Sequence, residues 1–217
     1  MNPLVSCLTP TFNRRAFFSR AVRCFLSQDW PNLEWVILDD GTESIQDLLP
    51  SDPRIRYFHE VPKRCHGVKM NRCFELSQGE YGIVFDDDDW YAPDRVRRQV
   101  EPLIADPEMK VSGLSEFYYY THGTQKAYRY QAKAIPWMGA IALRRSAWET
   151  LKFDTDSRPG ADNRLLQKIP RPTWYVVKEP GLLVATMHGT NDCKKVISSS
   201  YVSESWDTIQ RVTGGDL

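Results

Sequence analysis

The stretch Tyr81-Gly82-Ile83-Val84-Phe85-Asp86-Asp87-Asp88-Asp89-Trp90 joins a short apolar run to four consecutive carboxylates. Such a run is typical of a buried strand, which would carry the aspartates at its carboxyl end. Four adjacent carboxylates repel one another, and a divalent cation with an anionic ligand would relieve that repulsion. Mg²⁺ and Mn²⁺ favour carboxylates and often complete their coordination with substrate phosphates. The stretch therefore indicates a metal and diphosphate site, and the alternative is a solvated acidic turn or helix N-terminus.

Apolar segments and helix-period patterns alternate through the first half of the chain. This alternation predicts a mostly parallel sheet with right-handed crossovers. The predicted strands are Leu4–Leu8, Leu33–Leu38, Arg54–His59 and Tyr81–Phe85. The predicted helices are Arg15–Gln28, Ser44–Leu49, His66–Ser77 and Arg95–Ala105, the last of them kinked or ended near Pro102.

The pattern changes from about residue 111. Val111–Tyr120 and Gln125–Lys133 are rich in tyrosine and alternate like the strands of a hairpin. We expect the second half to form a mixed extension of the same sheet. Its other predicted elements are the strands Met138–Leu143, Trp174–Val177 and Leu182–Met187 and the helices Arg144–Leu151, Ala161–Lys168 and Ser200–Val212.

Polar residues follow the first two predicted strands as well as the fourth. Pro10-Thr11-Phe12-Asn13-Arg14 follows the first, and Asp39-Asp40-Gly41 follows the second. The carboxyl ends of parallel strands meet at one edge of a sheet, where such folds bind ligands. A nucleotide requires hydrogen-bonding side chains, an aromatic surface, a basic counter-charge and a hydrogen-bond acceptor. Here Arg14 or Lys69 could supply the counter-charge and Asp39 the acceptor. Each segment alone is equally compatible with a simple turn.

Charge and cysteine content restrict the class of protein. Within 217 residues, 28 Lys and Arg balance 28 Asp and Glu, so no overall field favours a polyanion such as nucleic acid. The cysteines are odd in number and lack the paired spacing of a zinc or redox site, which favours reduced thiols in a cytoplasmic protein. No signal-length or membrane-spanning apolar stretch is present, so we expect no membrane-spanning segment. The cysteines are Cys7, Cys24, Cys65, Cys73 and Cys193.

Three segments together resemble the inverting GT-A glycosyltransferases of family 2. They are residues 6–14 (SCLTPTFNR), residues 25–41 (FLSQDWPNLEWVILDDG) and residues 71–90, which end in FDDDDW. The similarity continues more loosely through residues 138–146, 153–154, 160–165 and 188–191. It implies a Rossmann-like GT-A α/β fold, with a mostly parallel central sheet flanked by helices and a mixed-sheet acceptor half. It further implies a single domain over residues 1–217, in which residues 1–107 bind the nucleotide sugar and residues 108–217 bind the acceptor.

The resemblance also implies roles for individual residues. Asp39 would lie near the base, Asp86 and Asp88 would form the Asp-x-Asp element near ribose and metal, and a register shifted by one would use Asp87 and Asp89 instead. The implied donor-binding residues are Pro10, Thr11, Asn13, Arg14, Asp39, Asp40, Lys69, Asp86 and Asp87. The implied ligands of Mn²⁺ or Mg²⁺ are Asp88, Asp86 and His188.

Asp162 falls where the family places its general base. The alternative is an ordinary carboxylate at the start of a helix, stabilised by the helix dipole. His188 is equally interpretable as a structural histidine. The family's Arg-Asn pair is represented here by Met70-Asn71, so its basic contact is missing from that segment.

These features predict metal-dependent, inverting transfer of a sugar from a nucleoside-diphosphate sugar, with a UDP-sugar as the default donor. The acceptor stays open among a glycan, a lipid-linked oligosaccharide, a protein and a modified nucleic-acid base. A non-catalytic sugar-nucleotide-binding or scaffold protein is the main alternative. A nucleotidyltransferase is disfavoured because Pro10–Arg14 is not a glycine-rich phosphate loop, and a dehalogenase-type phosphatase because no carboxylate follows the first strand.

Overall fold

The computed structural model describes residues 2–131, 137–156, 160–191 and 197–217. Its strands are β1 (Val5–Thr11), β2 (Leu33–Asp39), β3 (Ile55–His59), β4 (Tyr81–Val84), β5 (Trp90–Tyr91), β6 (Val111–Leu114), β7 (Glu116–Thr121), β8 (Ala127–Gln131), β9 (Trp137–Arg144), β10 (Trp174–Val177), β11 (Leu183–Met187) and β12 (Tyr201–Glu204). Its α-helices are α1 (Phe18–Leu26), α2 (His66–Leu76), α3 (Arg95–Ala105), α4 (Arg145–Leu151), α5 (Ala161–Lys168) and α6 (Trp206–Thr213). The predicted helix Arg15–Gln28 begins as a 3₁₀ turn over Arg15–Phe17 and continues as α1. The predicted helix Ser44–Leu49 is a 3₁₀ turn over Gln46–Leu48.

A seven-stranded sheet with the order β10-β6-β9-β4-β1-β2-β3 forms the centre of the described chain. Only β9 runs antiparallel to its neighbours, which confirms the predicted mostly parallel sheet. The parallel register pairs Thr11 with Asp39 and Leu8 with Val84. The segments that follow β1, β2 and β4 therefore emerge together at one edge.

The predicted mixed extension of the central sheet is confirmed only in part. In the second half β6, β9 and β10 join the central sheet, whereas β7, β8, β11 and β12 form a second sheet with β5. This five-stranded sheet has the order β12-β8-β7-β11-β5. The predicted strand Val111–Tyr120 divides at Ser115, whose backbone N–H donates to the carbonyl of Val177 at 3.1 Å. Before Ser115 the chain pairs in the central sheet, and after it Phe117 and Tyr119 are buried in the second sheet.

The predicted helix Ser200–Val212 is also wrong in its first part. Residues Tyr201–Glu204 pair antiparallel with β8. The helix begins only at Trp206, because the Ser205 hydroxyl accepts the backbone N–H of Thr208 at 3.1 Å and caps it.

Helices cover both faces of the central sheet. On one face Phe18 and Phe25 of α1 stack on Trp35 of β2, with ring centroids 5.9 and 4.9 Å apart. On the other face Phe74 of α2 stacks on Trp148 of α4 at 4.7 Å. In the described residues, no helix combines the length and apolarity needed to cross a bilayer. Cys7, Cys24, Cys65 and Cys73 are free thiols, and Cys193 lies outside the described residues.

Candidate functional site

Hydrogen bonds hold the loops after β1 and β2 in place. Asp39, only 1% exposed, accepts the backbone N–H of Gly41 at 2.8 Å and the hydroxyl of Tyr57 at 2.7 Å. Asn13 has a φ of 54°, a left-handed conformation that asparagine tolerates, and its side-chain oxygen accepts the backbone N–H of Thr42 at 2.9 Å. These contacts give the sheet edge a fixed shape before any ligand arrives.

Lys69 and Asp40 form a buried ion pair beneath this edge. The ammonium lies 2.9 Å from Asp40 Oδ1 and donates to the carbonyl of Thr11 at 3.2 Å. The other oxygen of Asp40 accepts the backbone N–H of Arg64 at 2.6 Å. In this structure Lys69 thus joins α2 to the ends of β1 and β2.

Three further residues implied as donor ligands lie on or just after β1. Pro10 is partly exposed on the strand, opposite Leu38. The Thr11 hydroxyl is buried near Asp87, and its interaction with that carboxyl opposes the rise in the pKa of Asp87. The Arg14 guanidinium, 9% exposed, donates to the hydroxyl of Thr190.

The four aspartates divide into two pairs by burial. Asp86 and Asp88 remain partly exposed, whereas Asp87 and Asp89 are 5% and 4% exposed. Asp89 is used by the fold, since its Oδ1 accepts the backbone N–H of Thr186 at 2.8 Å. Alternation along the run leaves Asp86 and Asp88 as the accessible pair.

The acidic run carries an electrostatic conflict. Burial and the Asp88 carboxylate raise the pKa of Asp86 to about 7 and the pKa of Asp87 to about 8. One oxygen of Asp87 is buried without a hydrogen-bond partner among the described residues. Such a cluster favours a bound cation, because a divalent ion removes the repulsion that the fold itself leaves in place.

His188 reaches Asp88 from the loop after β11. Its Nε2 lies 2.8 Å from Asp88 Oδ2, and its Nδ1 lies 2.9 Å from the Thr190 hydroxyl. Asn191 donates to the same Asp88 oxygen at 3.3 Å, and the imidazole stacks on Phe17 with centroids 4.5 Å apart. Two ligands of one octahedral Mg²⁺ with ~2.1 Å bonds lie roughly 3 Å apart, so this spacing suits a shared ion.

The described side chains do not form a complete set of metal ligands on their own. Across residues 2–131, 137–156, 160–191 and 197–217, no group of three or more His, Cys, Asp or Glu side chains is arranged to hold a metal ion. Mg²⁺ in particular is usually bound by one or two carboxylates plus substrate phosphates and water. The residues therefore fit an ion that arrives with, and is completed by, an anionic ligand.

Arg20 is a site residue that the sequence analysis missed. Its guanidinium donates to the backbone carbonyl of Asp88 at 2.7 Å and to the hydroxyl of Tyr120 at 2.6 Å. No local pattern marks it, because a charged residue in an amphipathic helix ordinarily lies on the solvated side. A buried arginine there must find acceptors, and it finds them on the acidic run and in the second sheet.

Asp162 lies in the first turn of α5, close enough to the acidic run for its charge to contribute to the raised pKa of Asp86. Its Oδ1 is 3.0 Å from Nε2 of His66, a second residue that the sequence analysis did not single out.

The family model described as "Glycosyl transferase family 2" matches residues 6–163. The chain belongs to this family. A similar curated relative is the "Putative colanic acid biosynthesis glycosyl transferase WcaA" of Escherichia coli (strain K12), 38% identical over 100 residues that cover 44% of this chain and 36% of the relative. The predicted resemblance to family 2 is confirmed.

Solved structures show that this family 2 chain has the GT-A fold. The mannosyltransferase PcManGT from Pyrobaculum calidifontis, in complex with GDP-Man and Mn²⁺, matches with a TM-score of 0.68 and 19% identity, over 86% of this chain and 57% of that one. TarS 1-349 of S. aureus, in complex with UDP, matches with a TM-score of 0.68 and 15% identity, over 84% and 60%. The chain thus spans about a third of that curated relative and less than two thirds of these two solved chains.

Proposed function

We propose that this family 2 chain is a metal-dependent, inverting glycosyltransferase that uses a nucleoside-diphosphate sugar, with a UDP-sugar as the default donor. The observation that carries the proposal is the convergence of Asp88 and His188 at 2.8 Å beside a second accessible carboxylate, Asp86. TarS was solved with UDP and PcManGT with GDP-Man and Mn²⁺, which supports a nucleotide ligand and a divalent ion for this fold.

Asp86, Asp88 and His188 are not arranged as a three-ligand metal site on their own. Together with the donor diphosphate they would hold Mn²⁺ or Mg²⁺, which when bound neutralises charge on the departing diphosphate. Arg20 fixes the backbone of Asp88 and so the direction of its carboxylate. The accessible pair Asp86 and Asp88 is preferred over the register of Asp87 and Asp89, because Asp89 is engaged by Thr186.

The edge formed after β1 and β2 would bind the nucleoside. Its contributors divide into those that present polar atoms and those that hold the edge in place. Asp39 and Lys69 belong to the second kind, since their hydrogen bonds are to the protein itself. The proposed donor-binding set is Pro10, Thr11, Asn13, Arg14, Asp39, Asp40, Lys69, Asp86 and Asp87.

Asp162 would act as general base. Its carboxylate accepts the proton of the acceptor hydroxyl as that oxygen bonds to the anomeric carbon. The bond from the anomeric carbon to the diphosphate oxygen breaks with its electron pair on the leaving group. Direct displacement inverts the anomeric centre. The acceptor class is proposed only as a hydroxyl-bearing glycan, lipid-linked oligosaccharide, protein or modified nucleic-acid base, and a cytoplasmic location is part of the same proposal.

A panel of nucleotide sugars with Mn²⁺ and candidate acceptors tests this function through release of nucleoside diphosphate. Loss of a general base reduces turnover by about 10²–10⁴-fold, so we expect that fall for Asp162→Asn with donor binding unchanged. Asp207→Asn is the matched control, because Asp207 also lies in the first turn of a helix but far along the chain, in α6. Donor binding without turnover in the wild type would instead support the non-catalytic sugar-nucleotide-binding protein.

A further inference from the structure

His66 and Asp162 form a pair between the first turns of two helices. His66 opens α2 and Asp162 is the second residue of α5, and Nε2 lies 3.0 Å from Oδ1. Burial alone would lower the pKa of His66, but the Asp162 carboxylate outweighs it and raises that pKa to about 9. The imidazole is therefore protonated at neutral pH and donates its Nε2–H to the carboxylate.

The start of α2 packs closely against the start of α5 and the segment before it. A Cβ on Gly67 would lie 1.9 Å from the carbonyl oxygen of Asp154 and 3.3 Å from Cβ of Ala161. A glycine is thus required directly after His66 for α2 to approach the start of α5. This approach is what places the imidazole within reach of Asp162.

Asn71 holds α2 to the segment that leads into α5. Its side-chain oxygen accepts the indole N–H of Trp148 at 3.0 Å and the backbone N–H of Phe153 at 2.9 Å. Its amide donates to the carbonyl of Phe153 at 2.9 Å. All of these bonds are part-buried, so the position of His66 relative to Asp162 is set by the fold and not by a mobile surface contact.

The charges that act on His66 come from three elements. Asp162 on α5 and Asp86 after β4 favour the imidazolium, and Lys69 on α2 disfavours it. The imidazolium is thus a counter-charge to both Asp162 and the acidic run. It offsets the repulsion between the Asp162 and Asp86 carboxylates.

We propose that His66 is a positioning residue for Asp162: its Nε2–H fixes Oδ1, so that Oδ2 is directed at the acceptor hydroxyl. This inference rests on the proposed function, in which Asp162 is the general base. The side-chain hydrogen bond described for Asp162 involves Oδ1, which leaves Oδ2 for the substrate. Misdirecting the base lowers the rate of the chemical step and leaves donor binding intact.

The kinetic test compares His66→Ala, His66→Gln and the control His122→Gln, which alters an exposed histidine. A hydrogen bond to a charged group is worth about 10- to 100-fold in rate, so we expect kcat of His66→Ala to fall by that factor with donor KM within about twofold. Glutamine retains an N–H donor and should recover most of the loss. Wild-type kcat in His66→Ala, or equal losses in folded alanine and glutamine variants, would overturn the proposal.

A second measurement does not depend on turnover. NMR titration of the four histidines, with His66 assigned by its variant, should show a pKa of about 9 in the wild type. In Asp162→Asn it should fall by more than about one unit, toward the ordinary value near 6.5. A His66 pKa near 6.5 in both proteins would refute the pair. If no donor supports turnover, the proposed function fails while this titration still decides whether His66 binds Asp162.

Discussion

Replacing Lys69 with methionine tests the ion pair beneath the sheet edge. The side chains of Lys69 and Asp40 are 5% and 1% exposed, and their charged atoms lie 2.9 Å apart. Methionine fills similar space but leaves the Asp40 carboxylate buried, with the backbone N–H of Arg64 as its described donor. Breaking a buried pair by removing one partner costs about 3–5 kcal/mol.

For a chain of this length, that loss corresponds to a decrease in Tm of roughly 6–20 °C, at about 2–4 °C per kcal/mol. Urea unfolding followed by circular dichroism, together with calorimetry, measures both quantities. Arg97→Met is the matched control: the charged atoms of Arg97 and Asp29 lie 2.8 Å apart, a similar distance, but their side chains are 36% and 38% exposed. An exposed pair contributes about 0–1 kcal/mol.

The double variant Lys69→Met with Asp40→Asn distinguishes two effects: the loss of the ion pair, and the cost of leaving the Asp40 carboxylate buried without a counter-charge. Because asparagine removes the charge that methionine leaves uncompensated, the double variant should be more stable than Lys69→Met alone. The reasoning is refuted if Lys69→Met loses no more stability than Arg97→Met, or if adding Asp40→Asn lowers stability further by the full cost of a second independent site.

Two other predictions concern the contact between α2 and α5. Gly67→Ala should lower the free energy of unfolding by more than about 2 kcal/mol, because the added Cβ would lie 1.9 Å from the Asp154 carbonyl oxygen. The control Gly181→Ala should change it little, since a Cβ there has nothing within 4 Å. Equal losses in the two variants would contradict the close contact at Gly67. His66 has a folded-state pKa of about 9, above its ordinary 6.5, so its stabilisation of roughly 1–2 kcal/mol after solvent screening is complete below pH 6.5 and is lost as pH rises through 9. The stability difference between wild type and His66→Gln should therefore narrow over that range, and a difference that widens would contradict the pair.

The sheet edge was predictable because strand ends in a parallel sheet follow from local patterns. The apolar runs before Asp39 and Asp86 are short and bounded by polar residues, so their direction and their common edge follow from the alternation of strands and helices. The position of Asp162 in the first turn of α5 was also predictable from a local pattern, because the helix periodicity begins at Ala161.

The second sheet was not predictable from such patterns. Residues 111–120 alternate continuously, and nothing local shows that the chain changes sheets at Ser115. That change depends on β10, a strand distant in the sequence, where the carbonyl of Val177 accepts the Ser115 N–H. Likewise Tyr201–Glu204 becomes a strand because β8 offers it an edge, which is a tertiary effect that overrides local preference.

The missed site residues have the same physical origin. His66 and Asp162 are 96 positions apart, and Arg20 and Asp88 are 68 apart. Both contacts join side chains that look ordinary in their own helices. A histidine at a helix start and an arginine in an amphipathic helix acquire their roles only when the two sheets and their helices are packed together.

Uptake of Mn²⁺ in the presence of UDP, followed by the electron paramagnetic resonance signal of the free ion, tests the central claim most directly. The wild type should bind Mn²⁺ in a nucleotide-dependent manner, and Asp88→Asn should weaken that uptake by at least about tenfold, since one direct ligand and its partner His188 are disturbed. Asp94→Asn, which alters a carboxylate at the start of α3, should bind like the wild type. Uptake by Asp88→Asn equal to that of the wild type would contradict the assignment of the acidic run as the metal and diphosphate site.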